Sequence, residues 1–297
     1  MIYFTKFGSY GRLGNQLFQY AAIRSLSLAR GYKISLPILD NKIFHGQKNL
    51  IKNLSIPEHF FKKQSFFKKL LLKKYVEKNP KVIDQNFFAI NDNTDFIGYF
   101  QSLYYFQDYV DIIKKELTPK KKFLLNARDK ITEIKSKYPG YQIVSLHIRR
   151  GDNVDINIKG NSKNLLSSFG DGDFKNSTVG KYIYKAIQHF NRENVKFLLF
   201  SGGNRFEDNN YDDIQWCKTN IKNDHIIFNN PDNSFSDFCL IMNCDHNIIS
   251  MSSSFGWWAA FLNRNPNKIV IAPQQYNLSD DDPSYNKMFY PKDWTII

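Results

Sequence analysis

The sequence contains little cysteine: three residues, Cys217, Cys239 and Cys244, stand among 297. The number is odd, no two of the three form a CxxC pair, and His246 is the one histidine that closely follows Cys244. This pattern predicts neither a disulfide framework nor a zinc site. We interpret the three cysteines as ordinary buried thiols in a reducing compartment.

Long apolar runs are absent as well. No stretch of about 18 consecutive apolar residues occurs, so the sequence predicts no membrane-spanning helix. The first residues, MIYFTKFGSYGRLGNQ, lack the positively charged and then apolar order of a signal peptide. We therefore expect a cytoplasmic protein.

Acidic residues are few relative to basic ones: 28 Asp and Glu stand against 41 Lys and Arg, which gives a formal net charge of +13. Such an excess predicts an anionic partner, either a nucleic acid, an acidic membrane surface or a phosphate-bearing substrate. A nucleic-acid-binding protein would spread its basic and aromatic residues over one face. Here the largest basic cluster is a single segment, so we do not expect nucleic acid as the partner.

That segment, residues 62–81, has Glu77 as its one acidic residue and carries Phe and Leu between its lysines. The lysines are Lys62, Lys63, Lys68, Lys69, Lys73, Lys74, Lys78 and Lys81. The pattern is typical of a basic amphipathic helix on anionic lipid, which would hold the protein at the inner face of the cytoplasmic membrane. The alternative is a helix that packs its Phe and Leu side chains on the core and exposes its lysines to water.

The length allows two domains of ordinary size. Residues 2–7 resemble a strand, a glycine-bearing loop follows, and 15–30 show helical spacing up to Gly31. Residues 33–38 then resemble a second strand, and this order is an α/β opening. Pro139-Gly140 breaks the chain, so we predict an N-terminal domain over 1–139 and a C-terminal domain over 140–297.

The second predicted domain has a regular rhythm. Five apolar segments of strand length alternate with four segments of helical pattern, beginning with QIVSLHI at 142–148. This alternation indicates a doubly wound, Rossmann-like parallel sheet. Sheets of this kind bind nucleotides at the carboxyl ends of their strands, so we expect the ligand there.

The segment HIRRGD directly follows the first of these strands. Alternation along a strand puts His147 and Arg149 on one face and Arg150 on the other. Two arginines at that place are costly unless an anion or a carboxylate pairs with them, and a guanidinium group fits phosphate oxygens. Gly151 permits close approach of the backbone, and Asp152 is able to neutralise an arginine or accept a proton from an acceptor hydroxyl. The alternative is a structural Arg–Asp network.

Two further loops carry candidate residues. Ser253 and Ser254 lie between a predicted strand and a predicted helix, where hydroxyls and free N–H groups form an anion site, or simply cap the helix. Trp257 and Trp258 behind them are interpreted as core. The loop at 8–16 matches neither GxGxxG nor a P-loop, and its Asn15 stands at a helix start.

Taken together, these segments resemble one known family, the α-1,2-fucosyltransferases of glycosyltransferase family 11, bacterial type. The matching segments occur in the family's order and span nearly the whole chain: GRLGNQLFQYA (11–21), GYFQSLYYF (98–106), HIRRGD (147–152), DDIQWCK (212–218), FSDFCLIMNCDHNII (235–249), SSSFGWWAAFLN (252–263) and PKDW (291–294).

The resemblance implies a two-domain GT-B-like fold and the inverting, metal-independent transfer of L-fucose from GDP-β-L-fucose to a galactoside-type acceptor. No cofactor is expected beyond the donor substrate itself. The implied donor-binding residues are Gly14 and Asn15 in the first domain and His147, Arg149, Arg150, Asp237, Ser253 and Ser254 in the second. Arg149 and Arg150 would hold the pyrophosphate, and Asp237 would meet the guanosine.

For the proton of the acceptor hydroxyl, Asp152 is the first candidate base and Asp155 the second. The sequence departs from the family's pattern nearby, because Asn153 replaces an aromatic residue, Ser252 replaces Asn, and Gly256 replaces Ser. These departures leave two alternatives open: a transferase of the same fold that uses another GDP-sugar, and, more remotely, a basic nucleic-acid- or membrane-binding protein. The expected setting is surface-glycan or O-antigen synthesis on a lipid-linked acceptor.

Overall fold

The computed structural model describes residues 1–39, 49–63, 70–80, 82–154, 169, 173–190, 194–202, 211–229, 233–274 and 288–297. The chain divides into two compact units. The first consists of Met1–Lys120 with Ser284–Pro291, and the second of Lys121–Pro283 with Lys292–Ile297. Each unit is built on one parallel sheet, so the predicted α/β class is confirmed.

The first unit has five strands and two α-helices among its described residues. In chain order these are β1 (Ile2–Tyr3), α1 (Leu13–Arg30), β2 (Ile34–Pro37), β3 (Phe61–Lys62), β4 (Lys73–Val76), β5 (Thr94–Ile97) and α2 (Val110–Glu116). The strands lie in the order β3-β2-β1-β5-β4, and each neighbouring pair is parallel. The carboxyl ends of β1 and β5 therefore meet at one edge of this sheet.

Helix α1 follows the spacing that the sequence predicts. Leu17, Tyr20 and Ala21 are buried, and Gly31 ends the helix at φ +65°, with its N–H donating to the Ser27 carbonyl. This left-handed residue after the last turn is the usual place for glycine, because a Cβ is disfavoured there. The helix is thus buried along most of its length, from Leu13 to Ser27.

The helix predicted within 62–81 is wrong for the strand residues of this segment. Lys62 belongs to β3, and Lys73–Val76 form β4, an edge strand whose register runs from Lys73 beside Thr94 to Val76 beside Ile97. Parallel pairing with β5 satisfies backbone groups that a surface helix would satisfy internally, so tertiary pairing overrides the local pattern. Lys68, Lys69 and Lys81 lie outside the described residues.

The second unit begins with a helix that the predicted boundary at Pro139-Gly140 places in the first domain. This helix, α3 (Lys121–Lys137), contacts second-unit residues. The ring centroids of Phe123 and Phe235 are 4.8 Å apart, and Lys135 pairs with Asp245 at 2.7 Å. The units therefore divide at Lys120 and not at Pro139-Gly140, because these contacts tie α3 to the second sheet.

The remaining elements of the second unit alternate as predicted. They are β6 (Gln142–Arg149), α4 (Thr178–His189), β7 (Val195–Gly202), α5 (Tyr211–Asn220), β8 (Ile226–Phe228), α6 (Ser234–Asn243), β9 (His246–Ile248), α7 (Ser254–Leu262), β10 (Val270–Ala272) and β11 (Thr295–Ile296). The five predicted strands and four predicted helices are all present, and β11 adds a sixth strand. The order is β11-β10-β9-β6-β7-β8, with every neighbouring pair parallel.

Helices cover both faces of the second sheet, and the side chains of β6 alternate between these two faces. Its side chains Val144, Leu146 and Ile148 belong to one apolar cluster with residues of α4 and α5. On the opposite face, Ser145 accepts a hydrogen bond from Asn247, whose amide also donates to the Ile241 carbonyl of α6. The His147 ring lies near the Phe255 ring of α7. Helices on both faces of a parallel sheet define the doubly wound arrangement. Among the described residues, no helix meets the length and apolarity needed to cross a membrane.

A buried amide network fixes β9 to its neighbours on the α6 side. The Asn247 side chain is fully buried, and its Nδ2 donates to Ser145 Oγ and to the Ile241 carbonyl, each at 2.8 Å. Its Oδ1 accepts from Asn263 Nδ2 at 2.8 Å. A polar side chain is tolerated here because each of its groups is satisfied.

Asn247→Leu keeps the branched shape of the side chain but removes these hydrogen bonds, so we expect the free energy of unfolding to fall by about 3 kcal/mol, since buried partners lose their bonds. Chemical denaturation measures the change. Asn267→Ala, at an exposed asparagine of the same unit, is the control and should stay within about 0.5 kcal/mol of the unaltered protein. Equal stability of the two variants would contradict this role for Asn247.

Candidate functional site

Two segments that are about a hundred residues apart in sequence meet at the carboxyl edge of the second sheet. Strand β6 ends at Arg149, and its neighbour β9 ends at Ile248 and continues into the serine-rich loop. The backbone N–H of Arg149 donates to Ser250 Oγ at 2.8 Å, and its guanidinium Nη1 donates to the carbonyl of Ser252. Parallel pairing of the two strands therefore brings HIRRGD beside SSSF.

The serine loop leads directly into the N-terminus of α7. Ser253 is the N-cap, and its Oγ accepts from the N–H of Gly256 at 3.2 Å. Ser254 is the first helical residue and is partly exposed. The N–H groups of a first helical turn have no partner within the helix and carry its positive dipole end, so they attract an anion. A guanidinium group and a helix N-terminus thus lie side by side.

Ser252 has an unusual backbone conformation, with φ at +53°. Left-handed φ values are rare for residues other than glycine, and Asn tolerates them better than Ser. An Asn at this position would therefore be less strained than the Ser that stands here. In this chain the Arg149 guanidinium bonds to the carbonyl of the same left-handed residue, which holds the loop in place.

The tryptophans behind this loop belong to the core, as predicted. Trp257 and Trp258 are both fully buried. The Trp257 ring stacks on Phe261 with centroids 4.8 Å apart and lies 5.4 Å from Trp294. Their role is to anchor α7, and with it the position of its first turn.

His147 lies under the same loop and is neutral. Burial, together with the charge of Arg149, lowers the pKa of His147 to about 3. Its ring centroid is 5.9 Å from that of Phe255, and its Nδ1 has no hydrogen-bond partner among the residues that the structure describes. A Cβ at Gly256 would approach this Nδ1 to 2.5 Å. Glycine at 256 and histidine at 147 are therefore matched in size.

Arg150 points the other way, as strand alternation predicts. Its side chain is buried, its Nε contacts Asp213 Oδ1 at 3.4 Å, and its guanidinium carbon lies 3.5 Å from the centroid of the Trp216 ring. Asp213 and Trp216 both belong to α5. The two adjacent arginines thus have different surroundings: Arg149 lies beside the serine loop, and Arg150 packs against α5.

The remaining acidic candidates stand in different places. Asp237 is buried on α6, where it accepts from Asn229 Nδ2 at 2.7 Å, just after β8. Asp152 falls in a short 3-10 turn, Gly151–Asn153, and its side chain is outside what the structure describes. Asp155 lies outside the described residues altogether. Within the described part of the chain, no group of three or more His, Cys, Asp or Glu residues is arranged to hold a metal ion.

In the first unit, the predicted residues Gly14 and Asn15 lie in the first turn of α1. Asn15 Oδ1 accepts from Gln101 Nε2 at 2.6 Å, which joins the GRLGNQ segment to the GYFQS segment. Tyr10 strengthens this junction, because its hydroxyl accepts from the N–H of Gly98 and donates to the Gly98 carbonyl. Two motifs that are separate in sequence are one structural feature.

Sequence reasoning missed Glu77 as part of this feature. Its carboxylate accepts from the N–H of Tyr99 at 2.7 Å and of Phe100 at 3.1 Å, and burial raises its pKa. Phe100 has φ at +52°, so this carboxylate holds a strained turn. The sequence signal is that Glu77 is the one acidic residue among the lysines of 62–81, but the hydrogen bonds it accepts depend on the strand that precedes it, where the sequence predicts a helix.

Gly256→Ala places a methyl group against the buried His147 ring, so we expect a loss of about 1–3 kcal/mol in stability from overpacking. His147→Ala removes the ring and should abolish most of that additional penalty, because the two residues compete for the same space. Denaturation of both single variants and the double variant measures this coupling. Additive effects would show that the two residues do not share the space.

Known proteins that resemble this chain are transferases. An α-1,2-colitosyltransferase from Escherichia coli is 27% identical over 310 residues, covering 97% of this chain and 96% of that protein. Galactoside α-(1,2)-fucosyltransferase 1 from Rattus norvegicus is 23% identical over 308 residues, covering 95% of this chain and 68% of that protein.

The fold also has a relative among solved structures. The fucosyltransferase NodZ from Bradyrhizobium has a TM-score of 0.50 to this chain at 13% identity, over 91% of this chain and 94% of that one. The α/β fold with two parallel sheets is accordingly GT-B-like. Residues 5–297 match the family described as Glycosyl transferase family 11. This chain therefore belongs to glycosyl transferase family 11.

Proposed function

We propose that this transferase moves L-fucose from GDP-β-L-fucose to a hydroxyl of a galactoside-type acceptor, with inversion and formation of an α-1,2 linkage. The observation that carries the proposal is the Arg149 guanidinium beside the N-terminus of α7, at the carboxyl edge of a doubly wound sheet. Family membership supplies the reaction class, and the two transferase relatives share the α-1,2 linkage in their names.

Charge development explains what this arrangement would do. As the bond between the sugar C1 and the phosphate oxygen breaks, the GDP leaving group gains negative charge and the sugar becomes oxocarbenium-like. Arg149 and the first N–H groups of α7 are fixed in advance and would stabilise that charge without reorganising. Ser253 and Ser254 would orient the phosphate from the same turn. We propose that this chemistry needs no metal ion, because fixed cationic and dipolar groups take the place of one.

Other parts of the donor and the acceptor have their own candidates. Asp237, held by Asn229 on the same edge of the sheet, is proposed to meet the guanine base. Gly14 and Asn15 are proposed to approach the donor from the first unit. For the base that accepts the proton of the acceptor hydroxyl, Asp152 and then Asp155 remain the proposals.

A second donor, GDP-colitose, should be compared directly with GDP-fucose, because one relative of this chain is named for the transfer of colitose. Colitose is fucose without the hydroxyl at C3. A site that hydrogen-bonds this hydroxyl rejects the sugar that lacks it, by about 10⁴-fold in favourable cases, whereas a site without such a bond discriminates weakly. The ratio of the two kcat/KM values therefore identifies the natural donor.

We also propose that the protein works at the inner face of a membrane, on a lipid-linked glycan acceptor of a surface polysaccharide or O-antigen. The supporting feature is the surface around β4, where Leu70 and Leu71 are 68% and 86% exposed. Lys73 and Lys74, which follow the buried Leu72, are exposed too. Apolar side chains next to lysines are suited to anionic lipid headgroups.

The donor assignment is tested with a panel of GDP-sugars, including GDP-fucose and GDP-colitose, on a galactoside acceptor in the presence of EDTA. We expect GDP release from GDP-fucose and an α-1,2-linked product. Arg149→Ala should lower kcat/KM on the order of a hundredfold, the usual effect of losing one donor that stabilises a developing anion. The control is Arg128→Ala, at an exposed arginine of the same unit, which should keep full activity.

Two results would contradict the donor proposal. One is preferred turnover of another nucleotide sugar with GDP-fucose inert. The other is equal activity of the Arg149→Ala and Arg128→Ala variants.

For the membrane proposal, the measurement is cosedimentation with vesicles of phosphatidylglycerol and phosphatidylethanolamine. The double variant Leu70→Ser, Leu71→Ser should bind at least about tenfold more weakly, because two apolar side chains no longer enter the headgroup region. Leu125→Ser changes a leucine that is 44% exposed elsewhere and is the matched control. Unchanged binding of the double variant would remove the proposed contact.

A further inference from the structure

Arg150 is a buried cation with a counter-ion already beside it. Its side chain is 7% exposed, and that of Asp213, whose Oδ1 lies 3.4 Å from the Arg150 Nε, is 0% exposed. The guanidinium carbon lies 3.5 Å from the Trp216 ring centroid and 5.1 Å from that of Phe169. A cation over aromatic faces and next to a carboxylate is well compensated. Asp213 and two aromatic rings of the protein therefore stabilise the positive charge of Arg150.

Helix α5 presents both partners from one face. Asp213 and Trp216 are three residues apart, the spacing that puts side chains on the same side of a helix. Asp213 also stands in the first turn, where the helix dipole favours a negative charge. The local sequence of α5 thus fits the task of receiving a cation from the end of β6.

The same carboxylate also holds the backbone beyond Arg150. The N–H of Gly151 donates to Asp213 Oδ2 at 3.3 Å, and Gly151 has a positive φ of 33°. The N–H of Arg150 donates to the Gly202 carbonyl at 3.0 Å, and Asn153 Nδ2 donates to the Arg149 carbonyl at 3.2 Å. The chain from Arg149 to Asn153 is consequently tied to its surroundings at successive positions.

We propose that Arg150 is a positioning residue and not a donor ligand: its pairing with Asp213 fixes the turn from which Arg149 reaches the serine loop. The inference rests on the proposed function, because it takes the phosphate site to be the one beside Arg149. It narrows the expectation that both arginines hold the pyrophosphate. Because the Arg150 side chain is buried between Asp213 and Trp216 of α5, a phosphate would have to lose its water and lie beside a buried carboxylate in order to reach it, which is costly.

Asp213 distinguishes the two roles. If Arg150 contacts phosphate, Asp213 competes with the ligand for the guanidinium, and Asp213→Asn should leave the affinity for phosphate unchanged or raise it. If Arg150 acts through Asp213, the same substitution loosens the turn and lowers the affinity for phosphate. The two roles therefore predict opposite directions for one variant.

The experiment measures the diphosphate preference, the ratio of the Kd for guanosine to the Kd for GDP, by calorimetry on the full chain. UDP and uridine are measured in parallel. The variants are Arg150→Lys, Asp213→Asn and their combination, with Arg149→Ala as the variant that removes the direct contact. Arg150→Lys and the additional variant Asp213→Glu keep the positive and the negative charge of the pair. All affinities are measured well below the lowest Tm of the variants, so a loss of stability is not mistaken for a loss of affinity.

We expect Arg150→Lys and Asp213→Asn each to lower the preference by at least about tenfold, and the double variant to lose no more than either, because the two residues act as one unit. A preserved or raised preference in Asp213→Asn, with a loss in Arg150→Lys, would make Arg150 a direct ligand and overturn the inference. An unchanged preference in both, with lowered Tm alone, would make the pair merely structural and overturn it as well.

Failure of the proposed function has a different signature. If the unaltered protein prefers UDP over GDP, the donor assignment fails, while the uridine-to-UDP ratio still tests Arg150. If the unaltered protein prefers no diphosphate over its nucleoside, the phosphate site itself is absent, and the inference falls with it.

Discussion

Parallel pairing of β6 between β9 and β7 is the constraint on which the other features of the second unit depend. Because the three strands run in the same direction, their carboxyl ends reach one edge, and whatever follows each strand becomes a neighbour of whatever follows the others. Arg149 meets the serine loop in this way, and Gly151 meets Asp213 on the helix that follows β7. The same pairing, with the buried Asn247 network behind it, gives this edge a rigid support.

Alternation along β6 then divides the work between adjacent residues. His147 and Arg149 face the α7 side, where burial keeps the imidazole neutral and leaves the guanidinium as the local positive charge of that pair. Arg150 faces α5 and is compensated by Asp213 and Trp216. The end of one strand therefore places two cations in different surroundings, Arg149 beside the serine loop and Arg150 against α5, with a single residue step between them.

Much of this arrangement was accessible from the sequence, and the misses have physical causes. The alternation of apolar runs in residues 142–297 predicts the doubly wound sheet because buried parallel strands and their helices leave a clear pattern. The lysine-rich segment misled, since Lys73–Val76 is an edge strand and its character comes from pairing with β5, which no local pattern reports. The roles of Glu77, Gln101 and Asp213 depend on contacts between distant segments. The need for glycine at 256 depends on the position of the His147 ring, which leaves no room for a Cβ.

The bond from Arg149 to Ser252 has one more consequence. The acceptor of this bond is a main-chain carbonyl, so the bond depends on the backbone conformation at position 252 and not on which side chain stands there. Position 252 is then able to exchange Asn for Ser, provided that the residue accepts a left-handed conformation. A substitution at this position that keeps the left-handed backbone would leave the Arg149 contact, and with it the path of the serine loop, unchanged.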